Sequence, residues 1–134
     1  MKHLVLGLAL LGCAAPAGAQ AVEVGRADWD RFPAAQASGR RYLSVETMDA
    51  IETLARDGDC RLPGLRPRQV RLDVPFALRF DASGRVERII LNDLGCPDLE
   101  RLLGQAVQEM ALAGEYRPTR GAGWYRSSVQ FANR

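Results

Sequence analysis

Apolar and polar residues alternate along the chain from Val70 to Asp81. Six large apolar residues recur at every second position, and the positions between them are mostly charged. A period of two over this length predicts one long β-strand that buries a single face. Pro75 lies on the polar face and has no backbone N–H. We therefore expect this strand to be a sheet edge over part of its length, or to carry a bulge there.

The residues that follow predict a tight turn and a returning strand. Residues 81–84 read Asp-Ala-Ser-Gly, and Gly84 supplies the positive φ that such a turn requires. Apolar residues return between Arg85 and Asn92. The two strands and the turn together predict a β-hairpin.

Helical spacing occurs on both sides of this hairpin. Ser44 as N-cap and Gly58 as the residue after the end delimit a helix from about 45 to 57. Its apolar positions are Val45, Met48, Ile51, Leu54 and Ala55. Pro97 opens a second helix, whose apolar stripe is Leu99, Leu102, Leu103, Ala106, Val107 and Met110. The hairpin is therefore expected to pack against two amphipathic helices.

A last strand is predicted from Trp124 to Phe131. One face carries Tyr125, Val129 and Phe131, and the other carries Trp124, Arg126, Ser128 and Gln130. The resulting order is α-β-β-α-β, an α+β domain with a small antiparallel sheet on two helices. Residues 20–41 show no clear period and predict an irregular N-terminal arm, whose Trp29 and Phe32 are expected to pack onto the domain.

Residues 1–19 have the pattern of a cleavable export signal. A basic start is followed by an apolar core, and Ala17-Gly18-Ala19 forms an A-x-A cleavage site that leaves Gln20 as the first residue. The apolar core is shorter than the roughly 20 residues that span a bilayer. Cys13 leaves an alternative open, because Leu-Leu-Gly-Cys resembles a lipoprotein signal in which this cysteine is lipidated. We expect a periplasmic protein, or alternatively an outer-membrane lipoprotein.

Composition excludes most catalytic chemistry. Lys2 and His3 are the only lysine and histidine, so the chain after Ala19 has neither. That removes histidine bases, Schiff-base lysines, P-loops and nearly every zinc site. A formal charge of +2 gives no basic footprint for nucleic acid. We therefore expect no enzyme, no catalytic residue, no metal and no cofactor. A small carboxylate-dependent hydrolase remains as a third and weakest alternative.

Two cysteines, Cys60 and Cys96, remain in the predicted domain. In an oxidising compartment such a pair usually forms a disulfide. A reactive thiol would need a neighbouring His or Lys, and neither is available after residue 19. The predicted hairpin also returns the chain to its start, which brings both cysteines to its open end. We expect a Cys60–Cys96 disulfide.

Four features of the chain from about residue 42 to the end belong together. They are the element order, the hairpin sequence of residues 81–86, Tyr116-Arg117-Pro118 after the second helix, and Gly121 or Gly123 before the last strand. In these features the chain resembles the TonB C-terminal domain, the periplasmic end of an energy transducer, whose hairpin reads D-x-x-G-x-V. The predicted signal stands in place of that family's membrane anchor, and residues 20–41 are too short and poor in proline to serve as its spacer. The resemblance is therefore to the receptor-facing domain alone.

The resemblance implies a non-catalytic module that binds an extended peptide by β-augmentation. The expected partner is a protein or peptide of the cell envelope, such as an outer-membrane receptor. The expected contacts are Trp124, Arg126, Ser128 and Gln130 on the last strand, with Tyr116 and Pro118 guiding the approach. Two alternatives stay open. In the first, the last strand is not a free edge, because it lies inside the sheet or is capped by the arm. In the second, the protein has a structural role in envelope assembly.

Overall fold

The computed structural model of the chain describes residues 22–38, 43–58 and 60–132. The predicted signal at 1–19, with its cleavage site and Cys13, lies outside these ranges. Export and lipidation therefore stay predictions.

The described residues form an α+β fold. Its helices are α1 (Val45–Asp57) and α2 (Pro97–Leu112), with a short 3₁₀ turn at Trp29–Arg31. Its strands are β1 (Val22–Gly25), β2 (Gln36–Ala37), β3 (Leu65–Arg66), β4 (Gln69–Phe80), β5 (Val86–Asn92), β6 (Tyr116–Arg117) and β7 (Gly123–Ala132). The predicted order α-β-β-α-β is present as α1, β4, β5, α2 and β7, and the α+β class is confirmed.

The main sheet is centred on β4. β5 pairs antiparallel with one side of β4, and β7 pairs antiparallel with the other side from Arg71 to Phe80. β1 adds to the far side of β5 in parallel, so the sheet is mixed rather than purely antiparallel. The expectation of an irregular arm is wrong at β1 and β2, because strands of four and two residues are too short to show a period.

The interior lies between one face of this sheet and the two helices. Phe76, Leu78 and Phe80 of β4 are buried there, as are Ile51 of α1 and Leu103 of α2. Local signals place α1: the Ser44 side chain accepts a hydrogen bond from Thr47 N at 3.1 Å, and Gly58 ends the helix at φ 73°. This inner face holds β7 firmly through Tyr125, Val129 and Phe131, which are all buried.

Pro75 lies where β4 has no neighbour on the β5 side. The pairing with β5 begins only at Phe76, whereas the pairing with β7 runs past Pro75. Residues 71 and 75 direct their backbone nitrogens to the same side, and Arg71 N donates to Gly64 O of the loop before β3 at 2.7 Å. The nitrogen of Pro75 thus lies between β3 and β5, where no ladder donor is required, as expected for an edge over part of the strand.

Cys60 and Cys96 form the predicted disulfide, with their Cα atoms 5.7 Å apart. The bond joins the segment after α1 to the N-terminus of α2. It closes a sequence separation of 36 residues, which corresponds to about 4 kcal/mol of stabilisation in the chain-entropy model.

Candidate functional site at the outer edge of the last strand

The two sides of β7 differ in their hydrogen bonding. One side pairs with β4 over the whole strand, from Gly123 to Ala132. On the other side, Arg126 N donates to Pro33 O at 2.9 Å, and Ala35 N donates to Arg126 O at 2.9 Å. Backbone groups alternate in direction along a strand, so Ser128 and Gln130 direct their N–H and C=O to the same side as Arg126. These groups define the outer edge of β7.

The described part of the arm, residues 22–38, covers one position of this edge. Ala34 forms an isolated parallel bridge with Arg126, and the chain then turns away. β2 pairs with β6 instead, and Ser38 N donates to Glu115 O at 2.8 Å. Within the described ranges, no backbone group pairs with the outer groups of Ser128 and Gln130. The part of the edge beyond Arg126 is therefore open to an added strand in the described structure.

An aromatic contact holds the arm beside the edge. The Phe32 ring stacks on Trp124, with centroids 6.0 Å apart and planes inclined by 29°. Arg126 Nε also donates to Phe32 O at 2.8 Å. Phe32 therefore packs onto the domain as expected, and it marks where the arm crosses from the outer face of the sheet to the edge.

An ion pair between Arg88 and Glu23 lies beside Trp124 on the outer face of the sheet. The Arg88 guanidinium lies 5.3 Å from the Trp124 ring centroid, a cation–π distance. Arg88 also donates to both carboxylate oxygens of Glu23, the shorter contact being 2.7 Å. This hydrogen bond lowers the pKa of Glu23 and raises the pKa of Arg88. The pair ties β1 to β5 and fixes the cation over the indole.

Tyr116 is not at the surface, contrary to the expectation that it guides a partner. It is 3% exposed, and its ring meets Phe76 edge-on at a centroid distance of 5.4 Å. Its hydroxyl donates to Met110 Sδ at 3.6 Å. Tyr116 is therefore a core residue that positions β6. Pro118, next to β6, is half-buried.

The four predicted residues of β7 do lie together. Trp124 and Ser128 are half-buried, and Arg126 and Gln130 are exposed. Tyr125 anchors the start of the strand, because its hydroxyl accepts from Arg120 N at 2.9 Å and donates to Gly121 O at 2.8 Å. Sequence reasoning missed Pro33 and Ala35 at the edge. The only local signal was the aromatic-proline pair in the arm.

A concave region lies between the hairpin turn and the C-terminal end of α2, apart from the outer edge of β7. Its volume is about 500 Å³, and its acidic lining residues include Asp81 and Glu87. The Asp81 carboxylate is committed to the turn, because its Oδ1 accepts hydrogen bonds from Ser83 N, Ser83 Oγ and Arg85 N at 2.6–3.0 Å. These bonds lower the pKa of Asp81, the Ser83 side chain contributing most. Asp81 is therefore a turn residue and a poor candidate for proton transfer.

Other classes of site gain no support within the described ranges. They contain no group of three or more His, Cys, Asp or Glu side chains arranged to hold a metal ion. Neither helix there has the length and apolar character needed to cross a membrane. No protein-family model, curated protein or solved structure matches the chain.

Proposed function

We propose that this chain is a non-catalytic, periplasmic protein-binding module that resembles the receptor-facing domain of TonB. It binds an extended peptide by β-augmentation on the outer edge of β7. The observation that carries the proposal is the outward direction of the Ser128 and Gln130 backbone groups, beyond the single position that the arm occupies.

The edge has the rigidity that strand addition requires. β7 is paired with β4 at ten consecutive positions, and its inner side chains are buried in the core. An incoming strand would therefore meet donors and acceptors already fixed at strand spacing, which lowers the entropic cost of binding. Main-chain hydrogen bonds would supply affinity without any catalytic residue.

The outer face beside this edge suits a partially solvated contact. Arg126 and Gln130 are exposed there, with the Trp124 ring close by. Interfaces favour arginine and aromatic anchors of this kind. A protein of the cell envelope, such as an outer-membrane receptor with an extended segment, is the partner that the resemblance implies.

The test uses phage-displayed random decapeptides selected on the purified protein. Ser128→Pro removes one outward N–H and leaves every hydrogen bond to β4 in place, so we expect it to weaken selected peptides at least tenfold. Ser128→Ala is the matched control, because it changes the same side chain and keeps the N–H, and we expect it to bind within about twofold of the parent protein.

Two results would refute the proposal. One is a selection that yields no binding peptide. The other is a set of peptides whose affinity is the same for Ser128→Pro and Ser128→Ala. Circular dichroism of both variants checks that the fold is retained.

A further inference from the structure

The arm sits on β7 as a bound peptide would. Phe32 stacks on Trp124, Pro33 O accepts from Arg126 N, and Ala35 N donates to Arg126 O. Residues 32–35 read Phe-Pro-Ala-Ala. An aromatic ring, a backbone acceptor and a backbone donor of the arm thus meet the edge in this order along the chain.

Two features limit this contact to one position. In a parallel ladder the carbonyl of Trp124 would accept from the nitrogen of residue 33, but Pro33 has no N–H to donate. In the other direction the chain leaves β7, because Gln36 and Ala37 pair with β6. The arm therefore cannot extend its ladder along the edge in either direction.

A separate chain of the same pattern has the same limit at its proline, but no pairing with β6 draws it away from β7 on the other side. It can place its aromatic residue on Trp124, pair at Arg126, and continue straight along Ser128 and Gln130. It takes over the hydrogen bonds that the arm makes at Arg126, and it adds hydrogen bonds at Ser128 and Gln130, which the arm does not reach. Exchange of the arm for such a segment therefore increases the number of hydrogen bonds to the outer edge of β7.

We propose that residues 32–35 are an internal stand-in for the partner, and that the partner carries an extended segment of aromatic-proline-small-small pattern that displaces them from β7. This inference rests on the proposed function and adds the chemistry of the partner and the competition of the arm. The tethered arm is present at a high effective concentration, so the Arg126 position is available to the partner only while the arm is released, whereas the outward groups of Ser128 and Gln130 are open with the arm in place.

The test measures binding of a fluorescently labelled peptide of residues 28–38 by fluorescence polarisation. Phe32→Ala in the protein removes the stacking contact of the arm and leaves the edge intact. We expect this variant to bind the peptide about tenfold more tightly than the parent protein, because the competing arm is weakened. The same peptide with alanine in place of its phenylalanine should bind at least tenfold less tightly.

Leu112→Ala is the matched control for loss of a large apolar side chain. Leu112 is 64% exposed at the end of α2, in a different part of the fold, so this variant should bind the peptide like the parent. Equal affinity of the parent and Phe32→Ala would overturn the inference, and so would a tightening of the same size in Leu112→Ala.

A second variant keeps the inference testable if Phe32→Ala does not fold. Ala34→Cys with Arg126→Cys places cysteines at a bridge pair, where a disulfide locks the arm to the edge. The locked protein should bind the peptide at least tenfold less tightly than the single variant Arg126→Cys, which lacks the same arginine but has no lock. Undiminished binding would refute the exchange.

The two kinds of peptide separate this inference from the proposed function. If the arm peptide fails to bind any variant while selected peptides still depend on Ser128, the inference fails and the proposed function stands. If neither the arm peptide nor any selected peptide binds, both the inference and the proposed function fail.

Discussion

Asp81 shows how one side chain can dictate a local structure. Its carboxylate accepts three hydrogen bonds from the turn that it opens, and Gly84 completes that turn at φ 82°. The Asp-Ala-Ser-Gly sequence predicted the turn because Asp and Ser side chains accept hydrogen bonds from nearby backbone N–H groups and Gly adopts a positive φ without strain. It could not predict that Asp81 would line a concave region, since that depends on the distant α2.

Replacing Asp81 by alanine should lower stability in a pH-dependent manner. The folded pKa of Asp81 is below its unfolded value of about 4. Its contribution is therefore present above pH 4 and is lost as the pH falls through the folded pKa. We expect the Tm difference between the parent and Asp81→Ala to be largest near pH 7 and to shrink toward pH 2. Glu109→Ala, at an exposed carboxylate of α2, is the control. A difference that is equal at both pH values would contradict this account.

Two glycines test the role of close backbone packing. Gly64 and Gly84 have φ of 83° and 82°, but only at Gly64 would a Cβ overlap a backbone atom, the carbonyl oxygen of Arg71. Gly84→Ala should therefore cost about 1 kcal/mol, the strain of a left-handed alanine. Gly64→Ala should cost about 3 kcal/mol or more, because the loop before β3 must also move. Urea denaturation measures both, and equal costs would show that the loop yields freely.

At the scale of elements, long periodic segments were predictable and short ones were not. β4, α1 and α2 each repeat their pattern several times, so their bounds lie close to the predicted ones. β1 and β2 have four and two residues, too few to show a period, and each pairs with a strand that is distant in sequence. Pairing of Ala34 with Arg126 is likewise a long-range event that no local pattern encodes.

The disulfide should contribute a large share of the stability. It links the segment after α1 to the start of α2 across 36 residues. The double variant Cys60→Ala, Cys96→Ala should lose about 4 kcal/mol of unfolding free energy, against a total of about 5–15 kcal/mol for such a domain. Denaturant titration measures the loss, and mass spectrometry without reduction should find no alkylatable thiol at either cysteine. Free thiols in the native protein would contradict the bond.

At the scale of the whole molecule, the proposed location rests on the predicted export signal at residues 1–19. Cleavage after Ala19 predicts that the protein isolated from a bacterial periplasm begins at Gln20. Intact mass spectrometry distinguishes this product from the alternative. A chain that begins at a diacylated Cys13 would replace the periplasmic assignment with an outer-membrane lipoprotein.

The position of the proposed binding edge depends on both short-range and long-range information. The alternation in β7 predicted which side chains share a face, and the topology determines which backbone groups point away from β4. The sequence left open whether the arm caps this strand. The structure has the arm at Arg126 and away from Ser128 and Gln130, because β2 pairs with β6.

Amide hydrogen exchange tests the central proposal most directly. NMR would follow the exchange of individual amides of β7 with and without a saturating selected peptide. We expect the Ser128 and Gln130 amides, which point outward, to slow at least tenfold in the complex. The amides of Ser127 and Val129, which face β4, should change little because they are already paired. Unchanged exchange at Ser128 and Gln130, with new protection at β1 on the opposite edge of the sheet, would contradict strand addition at β7.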